Sequence, residues 1–482
     1  MDLEGDDSPL FLPDRENIPT LLPASSTINE GGSPGDEGST GGEGVVQETG
    51  SSWYASVFIV VNAALGAGLL NFPAAFDKSG GLGVAITVQA ILMVFIVGAL
   101  LILAYCSDFH KSATYQDVVQ SMCGRRAQAA CSSCIAIYSF GCCVTFFIIT
   151  GDQWDKFFTF LYGTEFCHHW YMNRKFTITV SAILVVLPLC YPKRIDFLKY
   201  ASTAGVVAVL YCVALVTVKY FIGPINPGTI KTRPDDWTDV FIVVPDICFA
   251  YQCHISCVPV YACLKKRTQS EFLKTVLVAL AVCVFAYTGT ASFGYLTFGS
   301  KVAEDILSSY DPTSDVLVAV VLIAAKMYTT YPILLFVGRA ALESIWRNLR
   351  RLSEEQVAFG EKQRRYITTT IWFILSLILA VLVPDIGAVI SALGGLAALF
   401  IFIFPGMCLL QVLLQGHVNP LVYKWKYRTL YVLACSYIVI GAFLFGVTST
   451  QSVWDDVQST PLKPAVCGYQ LGKYKLTFPK HY

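Results

Sequence analysis

Charge is what this sequence has least of: Asp, Glu, Lys and Arg make up 14% of its 482 residues, while 55% are hydrophobic. That leaves too little polar surface to clothe a soluble globule and places the chain among all-α polytopic membrane proteins. The few charges balance, 34 basic against 34 acidic, and gather in no block of one sign, which excludes a nucleic-acid surface. Histidine is also rare, at six, and neither a His-Glu-x-x-His pair nor a phosphate-binding Gly-x-x-x-x-Gly-Lys loop occurs, so catalysis by those routes has no residues to use. No Asn-x-Ser/Thr acceptor is present to report topology through glycosylation. The first residues are acidic where a signal peptide would be basic, and the first apolar helix is expected to act as its own insertion signal.

Cysteine is plentiful by contrast, at 17. Most lie in apolar runs, where a thiol behaves as a small hydrophobe, and Cys131-x-x-Cys134 reads as packing rather than redox or metal chemistry. Only Cys167 and Cys467 fall in aqueous segments, both expected on the non-cytosolic side, which leaves a disulfide between them open.

Residues 1–53 are rich in Gly, Ser, Pro and acids, cannot bury enough apolar area to fold, and form a disordered cytosolic tail. Within it Asp6-Asp7-Ser8-Pro9-Leu10-Phe11 approximates an acidic dileucine signal, an address read by cytosolic sorting adaptors that favours a lysosomal or late endosomal membrane over the plasma membrane. Apolar runs of spanning length follow near 54–76, 83–106, 128–150, 176–191, 200–222, 238–262, 272–297, 314–338, 366–384, 386–414 and 429–449, about eleven in all. Lys and Arg concentrate in alternate loops, among them Arg125 and Arg126, Lys265 to Arg267, Arg347 to Arg365, and Lys424 to Arg428. Those loops and the amino terminus are therefore expected in the cytosol, and the tail at 450–482 outside or in a lumen.

Two runs are not simple apolar helices. The first reads Asn62-Ala-Ala-Leu-Gly-Ala-Gly-Leu-Leu-Asn-Phe-Pro73, with Gly66 and Gly68 ~15 Å in from its start, close to the bilayer midplane. Gly66-Ala67-Gly68 would serve as a small-residue packing face, but Asn62 lies one turn earlier on the same face and sets a side-chain oxygen beside the backbone groups that a break exposes. Such groups are tolerated at that depth only against protein, water or a ligand, so the stretch describes an ion or zwitterion site. The second, five spans later, is Val244-Pro-Asp-Ile-Cys-Phe-Ala-Tyr-Gln-Cys-His-Ile-Ser-Cys-Val-Pro259, with an acid, an amide and a histidine where each polar group costs about 1–3 kcal/mol. His254 beside that break is placed to sense pH, or else is a neutral histidine satisfied by a neighbour. Five spans per half gives two repeats, 54–222 and 223–414, with 415–449 an added helix and its loop.

Taken together the first-run motif, Thr150-Gly151-Asp152-Gln153, Lys199-Tyr200-Ala201-Ser202, Phe249 to His254, Tyr331-Pro332-Ile333-Leu334, Val383-Pro384-Asp385-Ile386-Gly387 and Phe402-Ile403-Phe404-Pro405-Gly406 resemble the sodium-coupled neutral amino acid transporters, solute carrier family 38. The branch they resemble most contains the lysosomal glutamine transporter, and the likeness covers about residues 54–449. It implies a leucine-transporter-like fold of two inverted five-helix repeats plus one helix, and a symporter of small neutral amino acids such as glutamine or asparagine, with sodium as coupling ion and no organic cofactor. Carried over, Asn62, Thr329 and Thr330 would hold sodium, while Ala64, Gly66, Ala67, Gly68, Phe249, Ala250 and Gln252 would border the substrate. Ala250 departs from the Gly of close relatives, and Asp246 and Lys326 bring charge where the family implies neutral residues. In that fold both would border the cavity and answer each other, with the Lys326 ammonium standing in for sodium and making transport sodium-independent or proton-coupled. A channel fits less well than an occluded site, and an amino acid sensing receptor of the same fold is the other alternative.

Overall fold

The computed structural model describes residues 50–163, 169–192, 198–223, 225, 227–350, 359–383, 386–417 and 424–458. The tail with its sorting-signal match, Cys167, Cys467, Pro384, Asp385 and the chain after 458 lie outside them. With no water to pair an open backbone, a chain this apolar satisfies its amides within helices. The described residues contain no β-strand, only one isolated bridge between Ser51 and Leu264.

In chain order the helices are α1 (Trp53–Ala64), α2 (Gly68–Lys78), α3 (Leu82–His110), α4 (Tyr115–Tyr162), α5 (Arg174–Ser181), α6 (Leu187–Cys190), α7 (Leu198–Ile222), α8 (Val243–Ala250), α9 (His254–Ala262), α10 (Gln269–Phe298), α11 (Ile306–Ser309), α12 (Ser314–Arg350), α13 (Glu361–Leu382), α14 (Ile386–Ala398), α15 (Phe404–Leu414) and α16 (Lys424–Gln458). Among the described residues nine segments are long and apolar enough to cross a membrane, and ten when α1 and α2, bent by 59° at their junction, count as one. The run expected at 176–191 is found at Arg174–Cys190, where α5 passes through a π turn at Ala182–Val186 into α6. The run expected at 128–150 is far longer, because α4 starts on the Thr114 cap, turns at Gly124 (φ 84°) and continues past the apolar stretch to Tyr162.

α4 and α12 form the most extensive helix pair of the bundle. Tyr331 stacks near Phe147 with ring centroids 4.5 Å apart and pairs its hydroxyl with Ser376 at 2.7 Å. A second π turn at Leu399–Ile403 joins α14 to α15, and Tyr115 donates to the Phe400 carbonyl there at 3.0 Å. All fifteen described cysteines are free thiols, and no metal-binding cluster occurs among the described residues.

Close approach between helices depends on glycine at particular points. A Cβ on Gly394 of α14 would stand 2.1 Å from the Pro245 carbonyl oxygen of α8, a backbone neighbour that has no rotamer to change. The bundle end assigned to the non-cytosolic side by loop charge is crossed by the α10–α12 connection, in which Asp305, Ile306 and Leu307 are buried. The Asp305 carboxylate, 3% exposed, accepts from Gln153 at 2.6 Å and from the Leu307 amide at 2.9 Å. Lys156 donates to the Tyr310 carbonyl, and Lys78 pairs with Glu304 at 2.5 Å, so the connection is tied to both α4 and α2. Burial pushes the Asp305 carboxyl up to about 7, helped by Asp152 and opposed by the Leu307 amide, Gln153 and Lys156.

Gly394→Ala is expected to cost about 2 kcal/mol or more in thermal melts, whereas Gly446→Ala, which meets nothing within 4 Å, is expected to be neutral. Equal melts for the two would remove the close-approach account. Because folded Asp305 holds its proton more tightly than the unfolded chain, its support for folding is complete below about pH 4 and is withdrawn as pH rises to about 7. Wild-type stability relative to Asp305→Asn should therefore fall across that window, and a flat difference would refute it.

Candidate functional site

The helical register of the first run fails at Leu65, which takes extended backbone angles (φ −72°, ψ 91°) between α1 and α2. Gly66 and Ala67 follow, and the ladder resumes with weak turns from Leu69 to Gly66 and Leu70 to Ala67 at 3.4 and 3.2 Å. The second run fails at Tyr251–Cys253, between α8 and α9, without the sharp bend seen at the first. Ala250, where glycine would be the easier breaking residue, is the last residue of α8, so unwinding begins just after it.

The two breaks touch. A Cβ on Gly68 would stand 2.9 Å from the Ala250 Cβ and 3.5 Å from the Phe249 ring, so the first glycine of α2 permits the contact. Around it sit backbone groups that a continuous helix would have paired. The Ala64 carbonyl accepts from the Tyr287 hydroxyl at 2.7 Å, the Ala250 carbonyl accepts from the same hydroxyl at 3.2 Å, and the Gly66 amide donates to it at 3.2 Å. The Leu65 carbonyl accepts from the Lys326 ammonium. Tyr251 is reached by Gln89, whose amide donates to the Tyr251 hydroxyl at 2.8 Å and to Thr288 at 2.9 Å.

Of the residues expected to border the substrate, the structure brings Ala64, Gly66, Ala67, Gly68, Phe249 and Ala250 to this junction. Gln252 points its Oε1 to His254 Nδ1 at 3.0 Å and leaves its buried Nε2 without a partner. His254 is fully buried. Asn62 is half-buried and makes no side-chain hydrogen bond among the described residues. Thr329 and Thr330 turn their hydroxyls back onto their own helix, donating to the Lys326 carbonyl at 3.0 and 2.8 Å, so no hydrogen bond joins them to Asn62.

The expected answer of Asp246 to Lys326 is not found. Asp246, 6% exposed, accepts from Asn71 at 2.5 Å, whereas Lys326, 4% exposed, is given to the Leu65 carbonyl with no carboxylate in ion-pair reach among the described residues. Asp246 lies in the first turn of α8, more than a turn from the break, while Lys326 reaches the break itself, so the two charges serve different levels of the bundle.

Sequence reasoning missed Tyr287 and Gln89. Gln89 carried a signal, as a lone amide in a long apolar helix, but a tyrosine in a helix rich in aromatics carries none.

Membrane-spanning helices with two interrupted at one junction make the architecture of a secondary transporter, with unwound backbone lining a site inside the bundle. The chain belongs to the transmembrane amino acid transporter family, whose model matches residues 49–453. It is 46% identical to sodium-coupled neutral amino acid transporter 7 of Danio rerio, over 86% of this chain and 90% of that one. To the human protein of that name it is 43% identical, over 84% and 89%, and to human solute carrier family 38 member 8 it is 35% identical, over 83% and 93%. The chain is a transporter, not an enzyme.

The contact between the breaks yields a direct test. Gly68→Ala is expected to lower amino acid uptake about tenfold at equal abundance, because its methyl meets Ala250, while Gly66→Ala, whose nearest neighbour would be 3.9 Å away, stays within about threefold. Equal effects in a radiolabel uptake assay would mean that the close approach is not used.

Proposed function

We propose that this protein is a symporter of small neutral L-amino acids such as glutamine or asparagine, driven by sodium. The observation that carries the reading is the meeting of two helix breaks: amides at the start of α2 suit a carboxylate, and carbonyls ending α1 and α8 suit an ammonium or Na⁺. Sodium is drawn from the names of the zebrafish and human relatives. In this reading Ala64, Gly66, Ala67, Gly68, Phe249, Ala250 and Gln252 border the substrate, and Asn62, Thr329 and Thr330 offer oxygens to the ion. Each threonine keeps lone pairs after donating to its own helix, and Asn62 has no competing bond. The Asp6–Phe11 motif supports a lysosomal or late endosomal membrane, reached through sorting adaptors.

One observation favours a second reading. The Lys326 ammonium already occupies a freed carbonyl at the first break, where a coupling cation would bind, and a fixed charge there would make transport sodium-independent or proton-coupled.

Uptake of labelled glutamine into liposomes, with Na⁺ or choline outside and pH gradients set separately, distinguishes them. The sodium reading expects uptake to be lost in choline, and Asn62→Ala to weaken sodium dependence about tenfold more than it lowers abundance. Substantial wild-type uptake in choline, abolished in Lys326→Ala, would replace it with the second.

A further inference from the structure

Tyr287 belongs to none of the patterns that pointed to the site, yet one of its atoms touches both breaks. Its hydroxyl lies 2.7 Å from the Ala64 carbonyl, 3.2 Å from the Ala250 carbonyl and 3.2 Å from the Gly66 nitrogen. A phenol has one proton and two lone pairs, so it accepts from the Gly66 amide and shares its proton between the two carbonyls. Ala64 and Gly66 belong to the first run and Ala250 to the second, while Tyr287 stands on α10, a third element.

The ring that carries this hydroxyl stands on the uninterrupted helix α10 and packs against both broken runs. It is 0% exposed, stacked on Phe72 with centroids 4.8 Å apart at 25°, and met by the edge of Tyr251 at 5.1 Å. Tyr251 is in turn fixed by Gln89. The hydroxyl is therefore carried by a continuous helix, α10, and joined to each broken run both by a ring contact and by a hydrogen bond.

We propose that Tyr287 is a positioning residue for transport: its hydroxyl holds the Ala64 and Ala250 carbonyls and the Gly66 amide in one arrangement, so that the groups beside them meet a zwitterionic amino acid as a single preformed site. This rests on the reading of the breaks as the amino acid site. Each carbonyl has two lone pairs, so Ala64 and Ala250 keep one each for a substrate ammonium, and the Ala67 and Gly68 amides are not engaged by the phenol. Without the hydroxyl the two segments lose their shared partner, and substrate must order them on binding, which weakens affinity rather than turnover. A hydroxyl that merely filled an empty site would do the opposite, since its removal would spare the substrate a competitor.

Tyr287→Phe keeps the ring and removes only the oxygen. Purified wild type and variant are compared for glutamine uptake in liposomes and for melting temperature with and without glutamine. The expected result is a KM raised about tenfold with the maximal rate within about twofold, a factor equal to about 1.4 kcal/mol, the scale of one or two net hydrogen bonds. The stabilisation by glutamine should shrink at a concentration that saturates the wild type and reach the wild-type value at about ten times that concentration. An unchanged or lowered KM overturns the inference, as does loss of folded, monodisperse variant, which would make the hydroxyl a structural clamp alone. A wild type that accumulates no glutamine fails the transport reading instead, and the two failures are thereby distinct.

Discussion

A peptide group that leaves its helix inside an apolar bundle must find another partner, and the junction of the two breaks is organised by that requirement. An unpaired backbone amide or carbonyl at this depth costs several kcal/mol, so an unwound turn persists only where its groups are met. At the first break the Leu65 carbonyl is met by Lys326 and the Ala64 carbonyl by Tyr287; at the second, Tyr287 also meets Ala250. Each carbonyl oxygen retains acceptor capacity after one bond, so the unwound turns are satisfied without being saturated.

Glycine enters this arrangement through space more than through flexibility. Gly68 lets α2 reach Ala250 and Gly394 lets α14 reach the Pro245 backbone, so both faces of α8 are held by positions where a methyl group would not fit. Pro245 lies in the first turn of the same short helix that carries Asp246, whose carboxylate is bonded to Asn71 of α2. The helices α2 and α8 are thereby linked by a polar bond near one end and by the close approach of Gly68 to Ala250 at the junction.

The charges divide by level. Lys78, Glu304, Lys156 and Asp305 tie the α10–α12 connection across one end of the bundle, the first two as an ion pair and the other two through neutral hydrogen-bond partners. Lys326 alone reaches the break, and it takes a carbonyl in place of a carboxylate. That placement puts its charge at the first break, while Asp246 is bonded to Asn71 and does not balance it.

Class, membrane character, the two broken runs and the family were readable from residue order, because each depends on local composition. A run of apolar residues of spanning length is a helix wherever it lies; Gly66 and Gly68 weaken one by their own chemistry, and the polar residues and prolines of Val244–Pro259 mark the second as unusual. The ends of elements were less readable: α4 overran its apolar stretch in both directions, since polar residues continue a helix past the bilayer as readily as apolar ones. The expected pairing of Asp246 with Lys326 followed from charge and depth, and tertiary structure instead gave each a different partner. Tyr287 was invisible for the same reason. It stands opposite Ala64, Gly66 and Ala250 at once, 37 residues after the last of them and more than two hundred after the other two, and only packing of α10 against both runs brings that about. Order along the chain determined which groups would be left unpaired, and the packing of the helices alone decided what would meet them.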